Sequence, residues 1–585
     1  ADVVTEKGEF VFGGLDLNFL HGNSWVKAQS TVPGPLGQKE SPGVPGGAQG
    51  IVEGPLEVRV VRWLCILLAS LVLQAQVPHG AGERTLRLQV LATADVHGQL
   101  MPEDAFTRRP ADQGWAQLAT LVRELQAHQP NTLLVDAGDG LQGQPVSYLR
   151  ARVRPDLPEP SVAALASLGC HAAVVGNHDF DWGLPYLRRV DEEAIFPMLA
   201  ANVVDGTGKP AFTPYVVQEV AGLRVGILGL TTSALERIAE PGVLGPLKVV
   251  DALETARNLV PRLRQEERLD LLVVVFHSGA GRSGAQPFEE HQGQTLAEGV
   301  PGIDLLVLGH SHSQEARTQR GVPILQPPPF GRGLGVAELD LRREGKHWKV
   351  DQARLRLETI RPGTETDPVV LSATSELRAL ADTYLDTRAT ELAMDLDGRW
   401  SRMEDSALVQ LIHRVQREAT GAQLSAAPSP GLRYFVPKGP VSVRALWALA
   451  PYENRVARIR VTGAQVRAWL EHAARYYQPS HQSRLYNPEV AGHDFDLLDG
   501  VDYALDLSRP VGSRVARLTR DGHPVRDDQV FTLALSTYRL NGGGGYLEAV
   551  GLKPGQAEFV SPATLRNLLL EYVLARPRLD IPLRN

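Results

Sequence analysis

Two unlike domains are predicted, an α/β layered domain followed by an α+β domain, and three observations carry the prediction. Six short apolar runs lie between Leu86 and Leu357: LRLQVLATA, NTLLVDAG, HAAVVG, LRVGILGL, LDLLVVVF and IDLLVLG. They are rich in Val, Ile and Leu with little alternation, as expected of strands buried on both faces. Helical patterns such as WAQLATLVRELQAH fall between them, which gives a layered α/β arrangement. Beyond Asp367 the texture changes, and helical and alternating segments mix.

Each later segment has its own signal. DPVVLSATSELRALADTYLDTRATELAM, residues 367–394, has apolar residues at helical spacing and little Gly or Pro, and predicts one long connecting helix. SALVQLIHRVQREAT and VSVRALWALAP predict helices of the second domain, while RVARIRVTG, VDYALDLS, SRVARLTR and QVFTLALSTY predict its strands. The expected limits are 85–358 for the first domain and 395–577 for the second.

At the other end, Arg59 and Arg62 precede an apolar run from Trp63 to Leu73 that is too short to span a bilayer. Small residues follow at Ala75 and Ala81, so residues 58–81 read as a secretory signal and the mature protein is expected to be secreted or periplasmic. Residues 1–57 are rich in Gly, Pro and Val with no clear period, and are expected to be disordered. No Met precedes Met101, so translation is expected to start near Val58 or Val60, which makes this segment an over-extended reading frame.

Composition narrows the chemistry. With 585 residues, a net charge of −7 and no long basic run, the chain has no footprint for a nucleic-acid polymer. Its C-terminal YVLARPRLDIPLRN is too broken and charged to anchor a membrane, so a small detached substrate is expected. The only two cysteines, Cys65 and Cys170, cannot build a disulfide framework or a thiolate metal site. No pattern in the chain speaks to oligomeric state.

Five of the apolar runs end in polar residues. TADVHG supplies Asp95 and His97, DAGDG supplies Asp139, GNHDFDWG supplies Asn177 and His178, VFHSG supplies His277, and GHSHS supplies His310 and His312. Loops diverge at the carboxyl ends of strands in α/β sheets, so all these groups can reach one crevice. Taken singly, each has an ordinary reading as a turn residue or a hydrogen-bonded core histidine. Together they offer more nitrogen and oxygen ligands than one tetrahedral ion needs. Two divalent ions sharing one carboxylate fit the count, an arrangement that holds ions about 3.5–4 Å apart and clamps both oxygens of an in-line displacement. Imidazole with carboxylate and amide oxygen favours Mn, Zn, Co or Fe.

In this order and at these intervals, the five motifs resemble those of the calcineurin-like metallophosphoesterases, and the two-domain layout resembles the 5′-nucleotidase family over residues 85–575. The resemblance implies a four-layer α/β/β/α catalytic domain and a C-terminal nucleotide-binding domain. It implies that Asp95, His97, Asp139 and His312 hold one ion and that Asp139, Asn177, His277 and His310 hold the other. His178 is then no ligand: it matches the family's histidine beside the phosphate, and Asp181 matches the carboxylate that orients it. Asp179 is expected to be a structural or rim residue. In the second domain Tyr452 and Tyr546 match the two rings that sandwich a nucleoside base.

Within the family, LSAAPSPGLRYF replaces the Asn-Gly-Gly-x-Arg-type stretch usual in 5′-nucleotidases. LSAAPS, PYEN, FDLLDGVDYALDLSRPVGSRV and STYRLNGGGGY resemble instead the bacterial 2′,3′-cyclic-nucleotide 2′-phosphodiesterase/3′-nucleotidase branch. That branch opens a cyclic diester to a 3′-nucleotide and then releases the nucleoside. The rival expectations are a 5′-nucleotidase or UDP-sugar hydrolase, a thiosulfate-releasing hydrolase of the family's sulfur-oxidising branch, and a binding protein that has lost catalysis.

Overall fold

In the computed structural model the described residues are 10–12, 15–17 and 85–583, except 241, 346, 430, 433 and 479–484. The secretory-signal stretch at 58–81 lies outside them. Within the segment expected to be disordered, Phe10–Phe12 and Leu15–Leu17 pair as a small antiparallel hairpin.

From Thr85 the chain builds two six-stranded sheets. The first has the order His347–Thr359, Gly333–Glu344, Thr85–Thr93, Thr132–Asp136, Ala172–Val174, Met198–Leu199. The second has the order Glu315–Gln319, Val322–Gln326, Leu305–Leu308, Leu271–His277, Leu223–Thr231, Tyr215–Val220. In the second, a parallel centre is flanked on both sides by antiparallel strands; in the first, the antiparallel strands lie on one side of a parallel run that reaches the other edge. Leu88, Val90, Val135, Ile227, Val273 and Val275 pack between the sheets in one core. Leu272, Val274 and Phe276, on the opposite face of the same strand, pack under helices Ala252–Glu266 and Gly293–Gly299. Successive strand residues point to opposite faces, and here both faces are covered, so LLVVVF has no reason to alternate. The result is the expected α/β/β/α layering.

The connecting segment is not one long helix. It comprises Pro368–Ala373, then Ser375–Asp386, then a strand Arg388–Leu392 paired with Gly439–Ser442 and Arg578–Leu579. Asp367 caps the first helix by accepting from the backbone of Val369 and Val370, and an ion pair with Arg123 holds it at 2.7 Å. At Thr374 (φ −110°, ψ 4°) the helical path breaks while the side-chain hydroxyl donates to the Val370 carbonyl. Residues 388–392 retain a helix-compatible composition, but burial of Thr390 and Leu392 in the second domain selects a strand.

The second domain centres on a mixed five-stranded sheet ordered Asp496–Asp499, Leu424–Pro428, Val530–Ser536, Arg455–Thr462, Phe559–Thr564. Trp469, Phe531, Leu533 and Tyr546 belong to its core.

Candidate metal centre

The polar residues at the strand ends converge. Asp95, His97 and His312 place a ligand atom each within 4.8 Å of one another, and so do Asp139, His277 and His310. The two sets adjoin: a side chain on Gly309 would lie 3.2 Å from Asp95 Oδ2 and 3.3 Å from His277 Nδ1. The Gly before His310 therefore lets two crowded sets share one wall.

Backbone strain accompanies this convergence. Asp95 (φ 52°), His97 (52°), Asp139 (59°), His310 (71°) and His312 (55°) all adopt the left-handed conformation that side-chain-bearing residues avoid. Such residues persist where their surroundings over-determine them. Here the Asp95 and His97 amides donate to the Gly138 and Asp139 carbonyls at 2.9 and 2.8 Å. Asp179, 1% exposed, accepts from the amides of Asp139, Gly140, Leu141 and Gly176 at 2.8–3.1 Å. It lies in the interior and not at the rim, and it fastens the two loops that carry Asp139 and Asn177.

The donor set fits a cation. His277 Nδ1–H donates to the Ala137 carbonyl at 2.7 Å, so Nε2 is the nitrogen it can offer to an ion. That atom faces Asn177 Oδ1 at 3.0 Å and Asp139 Oδ2 at 3.1 Å, so three electron-rich atoms converge on one point. His97 repeats the pattern: Nδ1–H donates to the Gln142 carbonyl at 3.1 Å, and Nε2 lies 2.9 Å from His312 Nε2. Burial pushes the Asp95 carboxyl up to about 7 and the His97 and His312 imidazoles down to about 3 and 4. Burial also opposes charge on Asp139 and His277, but their mutual attraction outweighs it, holding the Asp139 carboxyl low and raising His277 to about 9. An ion bound there would take the place of the proton between them.

His178 stands apart from both sets. It begins the short helical turn His178–Phe180 that follows Asn177, and its amide donates to Asp139 Oδ1 at 2.8 Å. Its ring Nδ1–H donates to Asp181 Oδ2 at 2.9 Å, and about a third of the side chain stays exposed beside the ligand groups. Phe330, absent from the sequence reading, packs its ring against His97 and His312 with centroids at 5.6 and 5.2 Å. Nothing in PPPFGR announces that contact.

The second domain meets the first beside this centre. Thr537 hydrogen-bonds Glu240, Arg455 pairs with Glu240 at 3.4 Å, and the nearby Val243 carbonyl accepts from the amide of Leu184. Near Tyr452, the Arg566 guanidinium pairs with Glu453 and lies 4.8 and 4.3 Å from the rings of Tyr148 and Trp447. Tyr452 itself is 56% exposed.

Tyr546 corrects the sequence expectation. It is fully buried, with Trp469 at 4.8 Å, His472 at 4.5 Å and the Arg539 guanidinium at 4.5 Å from its ring. Its hydroxyl donates to the Asp494 carbonyl at 2.7 Å and accepts from the Asp496 amide at 2.9 Å. A ring so enclosed cannot receive a base. Tyr538, eight residues earlier in the same STYRLNGGGGY, is 42% exposed and adjoins Thr537. Gly543 backs it, since a side chain there would strike the Tyr538 ring at 2.4–2.6 Å. The glycine run therefore makes room for the earlier tyrosine.

Residues 88–314 match the calcineurin-like phosphoesterase family, and residues 385–551 match the 5′-nucleotidase C-terminal domain. The chain belongs to the 5′-nucleotidase family of calcineurin-like phosphoesterases. It is a metal-dependent phosphoester hydrolase. It is 26% identical over 584 residues to a 2′,3′-cyclic-nucleotide 2′-phosphodiesterase/3′-nucleotidase of Yersinia enterocolitica, covering 88% of each chain. It is 25% identical over 578 residues to the trifunctional nucleotide phosphoesterase YfkN of Bacillus subtilis; the match takes in 87% of this chain but only 39% of that longer protein. Among solved structures, a 5′-nucleotidase precursor from Thermus thermophilus shares the fold with a TM-score of 0.63 at 24% identity, over 85% of this chain and 98% of that one.

Among the described residues no helix is long and apolar enough to cross a membrane.

Proposed function

We propose that the chain hydrolyses 2′,3′-cyclic nucleotides to 3′-nucleotides and then 3′-nucleotides to nucleosides. The observation that carries the proposal is His178, held by Asp181 at 2.9 Å and open to solvent beside two clustered sets of ligand groups. The relatives named for the cyclic-nucleotide activity, and the PYEN and STYRLNGGGGY stretches, supply the substrate class.

In this reading Asp95, His97, Asp139 and His312 hold one divalent ion, and Asp139, Asn177, His277 and His310 hold the second. Histidine with hard oxygen ligands suits Mn, Zn, Co or Fe. When bound, such a pair lowers the pKa of a water to about 7 and neutralises charge on phosphoryl oxygens.

The chain's own groups do the rest. His178 Nδ1–H is committed to Asp181, so Nε2 is the atom that meets substrate. Burial is the largest single influence on this imidazole and opposes its charge, yet Asp181 and Asp139 outweigh it and raise its pKa to about 10. Nearby divalent charge would pull that value back toward neutrality. In the first reaction water oxygen adds to phosphorus and gives up one proton, the P–O2′ bond breaks, O2′ takes a proton from His178 Nε2 as a 3′-monoester forms, and the proton given up by the water restores the imidazolium. In the second, the P–O3′ bond breaks in the same way. Tyr452 and Tyr538 present the exposed rings between which the base stacks.

Export is a separate proposal that rests on Arg59, Arg62 and the apolar run after them. N-terminal sequencing of native protein should begin after Ala75 or Ala81; residues from 1–57 at the N-terminus would refute it.

The test of function is hydrolysis of 2′,3′-cyclic AMP, 3′-AMP and 5′-AMP with Mn²⁺, Co²⁺ or Zn²⁺ supplied. The first two should be the faster substrates. Much faster hydrolysis of 5′-AMP would assign the chain to 5′-nucleotidase activity instead.

A further inference from the structure

His310 spends one ring nitrogen on a carboxylate outside the seven motif residues. Its Nε2–H donates to Glu290 Oε1 at 2.9 Å. A neutral imidazole that donates from Nε2 carries its lone pair on Nδ1, so this one contact decides which nitrogen is free to bind an ion. We infer that Glu290 is a positioning residue of the metal centre, one that fixes the tautomer and orientation of His310 and raises the basicity of its ligating nitrogen. The inference rests on reading Asp139, His277 and His310 as one ligand set.

Glu290 presents its partly exposed carboxylate to His310 from a backbone that is firmly held. Its carbonyl accepts from the hydroxyls of Thr232 and Ser278, both at 3.0 Å. Ser278, fully buried, directly follows His277 and also accepts from the Gln292 amide at 3.0 Å. The Gln292 side chain, likewise fully buried, donates to Asp251 at 3.0 Å and to the Gln286 carbonyl at 2.9 Å, and accepts from Ser233 at 2.7 Å. The backbone around Glu290 is thus tied to the strand end that presents His277. Outer carboxylates placed this way on ligating histidines typically govern metal affinity by about 10–100-fold.

Another arrangement uses the same atoms. Glu290, His291 and His310 together place ligand atoms within 4.8 Å, and His291 Nδ1 is buried with no hydrogen-bond partner. Those three could form a third ion site, in which Glu290 would be a ligand and not an orienting group.

Competitive titration of the full chain with Mn²⁺ or Zn²⁺ against a chelator separates these cases. Wild-type protein should bind two ions. Glu290→Ala should weaken one of them about 10–100-fold and leave the other within about twofold, while Glu290→Gln, whose amide oxygen still accepts from His310, should recover most of the loss. The melting temperature of each metal-free variant should match that of metal-free wild type. Unchanged affinity for both ions in Glu290→Ala overturns the inference and leaves the two-ion reading standing. A third ion in wild type that vanishes in Glu290→Ala also overturns it, because Glu290 would then be a ligand. Absence of tight binding in wild type would defeat the two-ion reading and this inference together.

Discussion

The Nε2 atom of His277 stands 3.0 Å from Oδ1 of Asn177 and 3.1 Å from Oδ2 of Asp139, while Nδ1–H is given to the Ala137 carbonyl. Either a second ring proton or a cation must join Nε2 to these oxygens, and a bound ion displaces the proton. The first prediction follows. Asn177→Ala and His277→Ala should each bind one ion fewer than wild type by metal analysis, and chelation of wild type should lower its melting temperature. Ions present at about 100 times their dissociation constant each stabilise by about 2.7 kcal/mol. Melting that is indifferent to chelation would argue that the convergence is not a metal site.

Tyrosines of the second domain divide into two kinds. Tyr452→Ala and Tyr538→Ala should raise KM for nucleotides about 10-fold or more with little change in melting temperature, because stacking on a base is worth about 1–3 kcal/mol and both rings are exposed. Tyr546→Ala should instead cost about 3–5 kcal/mol of stability, the range for deleting a large buried ring. Urea unfolding beside steady-state kinetics distinguishes them; a Tyr546 variant that is stable but fails to bind substrate would reverse the assignment.

Glu159 gives a pH-dependent prediction away from the centre. It caps helix Pro160–Ser167 through Oε2 while Oε1 lacks a partner, and burial raises its carboxyl from 4.5 to about 8. The folded protein therefore holds a proton that the unfolded chain releases between these values. This favours the folded state fully below about 4.5, and the benefit is lost as pH rises to about 8. Glu159→Gln keeps the capping oxygen and removes the titration. Its melting temperature relative to wild type should climb as pH increases from 5 to 9, and parallel pH profiles would contradict the account.

How much of this was legible in the sequence depends on the range of the interactions. The strand runs and the polar groups that end them are local signals, and LLVVVF, Asp139, Asn177 and His277 could be read directly. Asp179 could be placed near the site, but not as the anchor of four amides, three of which lie about forty residues earlier. Tyr546 misled because position after a glycine run is local, whereas its enclosure by Trp469 and His472 depends on packing from a distant helix. Phe330 and the break at Thr374 likewise follow from tertiary contacts that no nearby pattern encodes.

The central claim is a division of labour within GNHDFDWG, with Asn177 facing an ion and His178 facing phosphate. Metal content and turnover of His178→Ala, measured on one preparation with Asp139→Ala beside it, test this most directly. His178→Ala should retain both ions and lose about 10²–10⁴-fold in kcat on 2′,3′-cyclic AMP, while Asp139→Ala should lose metal outright. Loss of an ion from His178→Ala, or turnover close to wild type with both ions in place, would contradict the account.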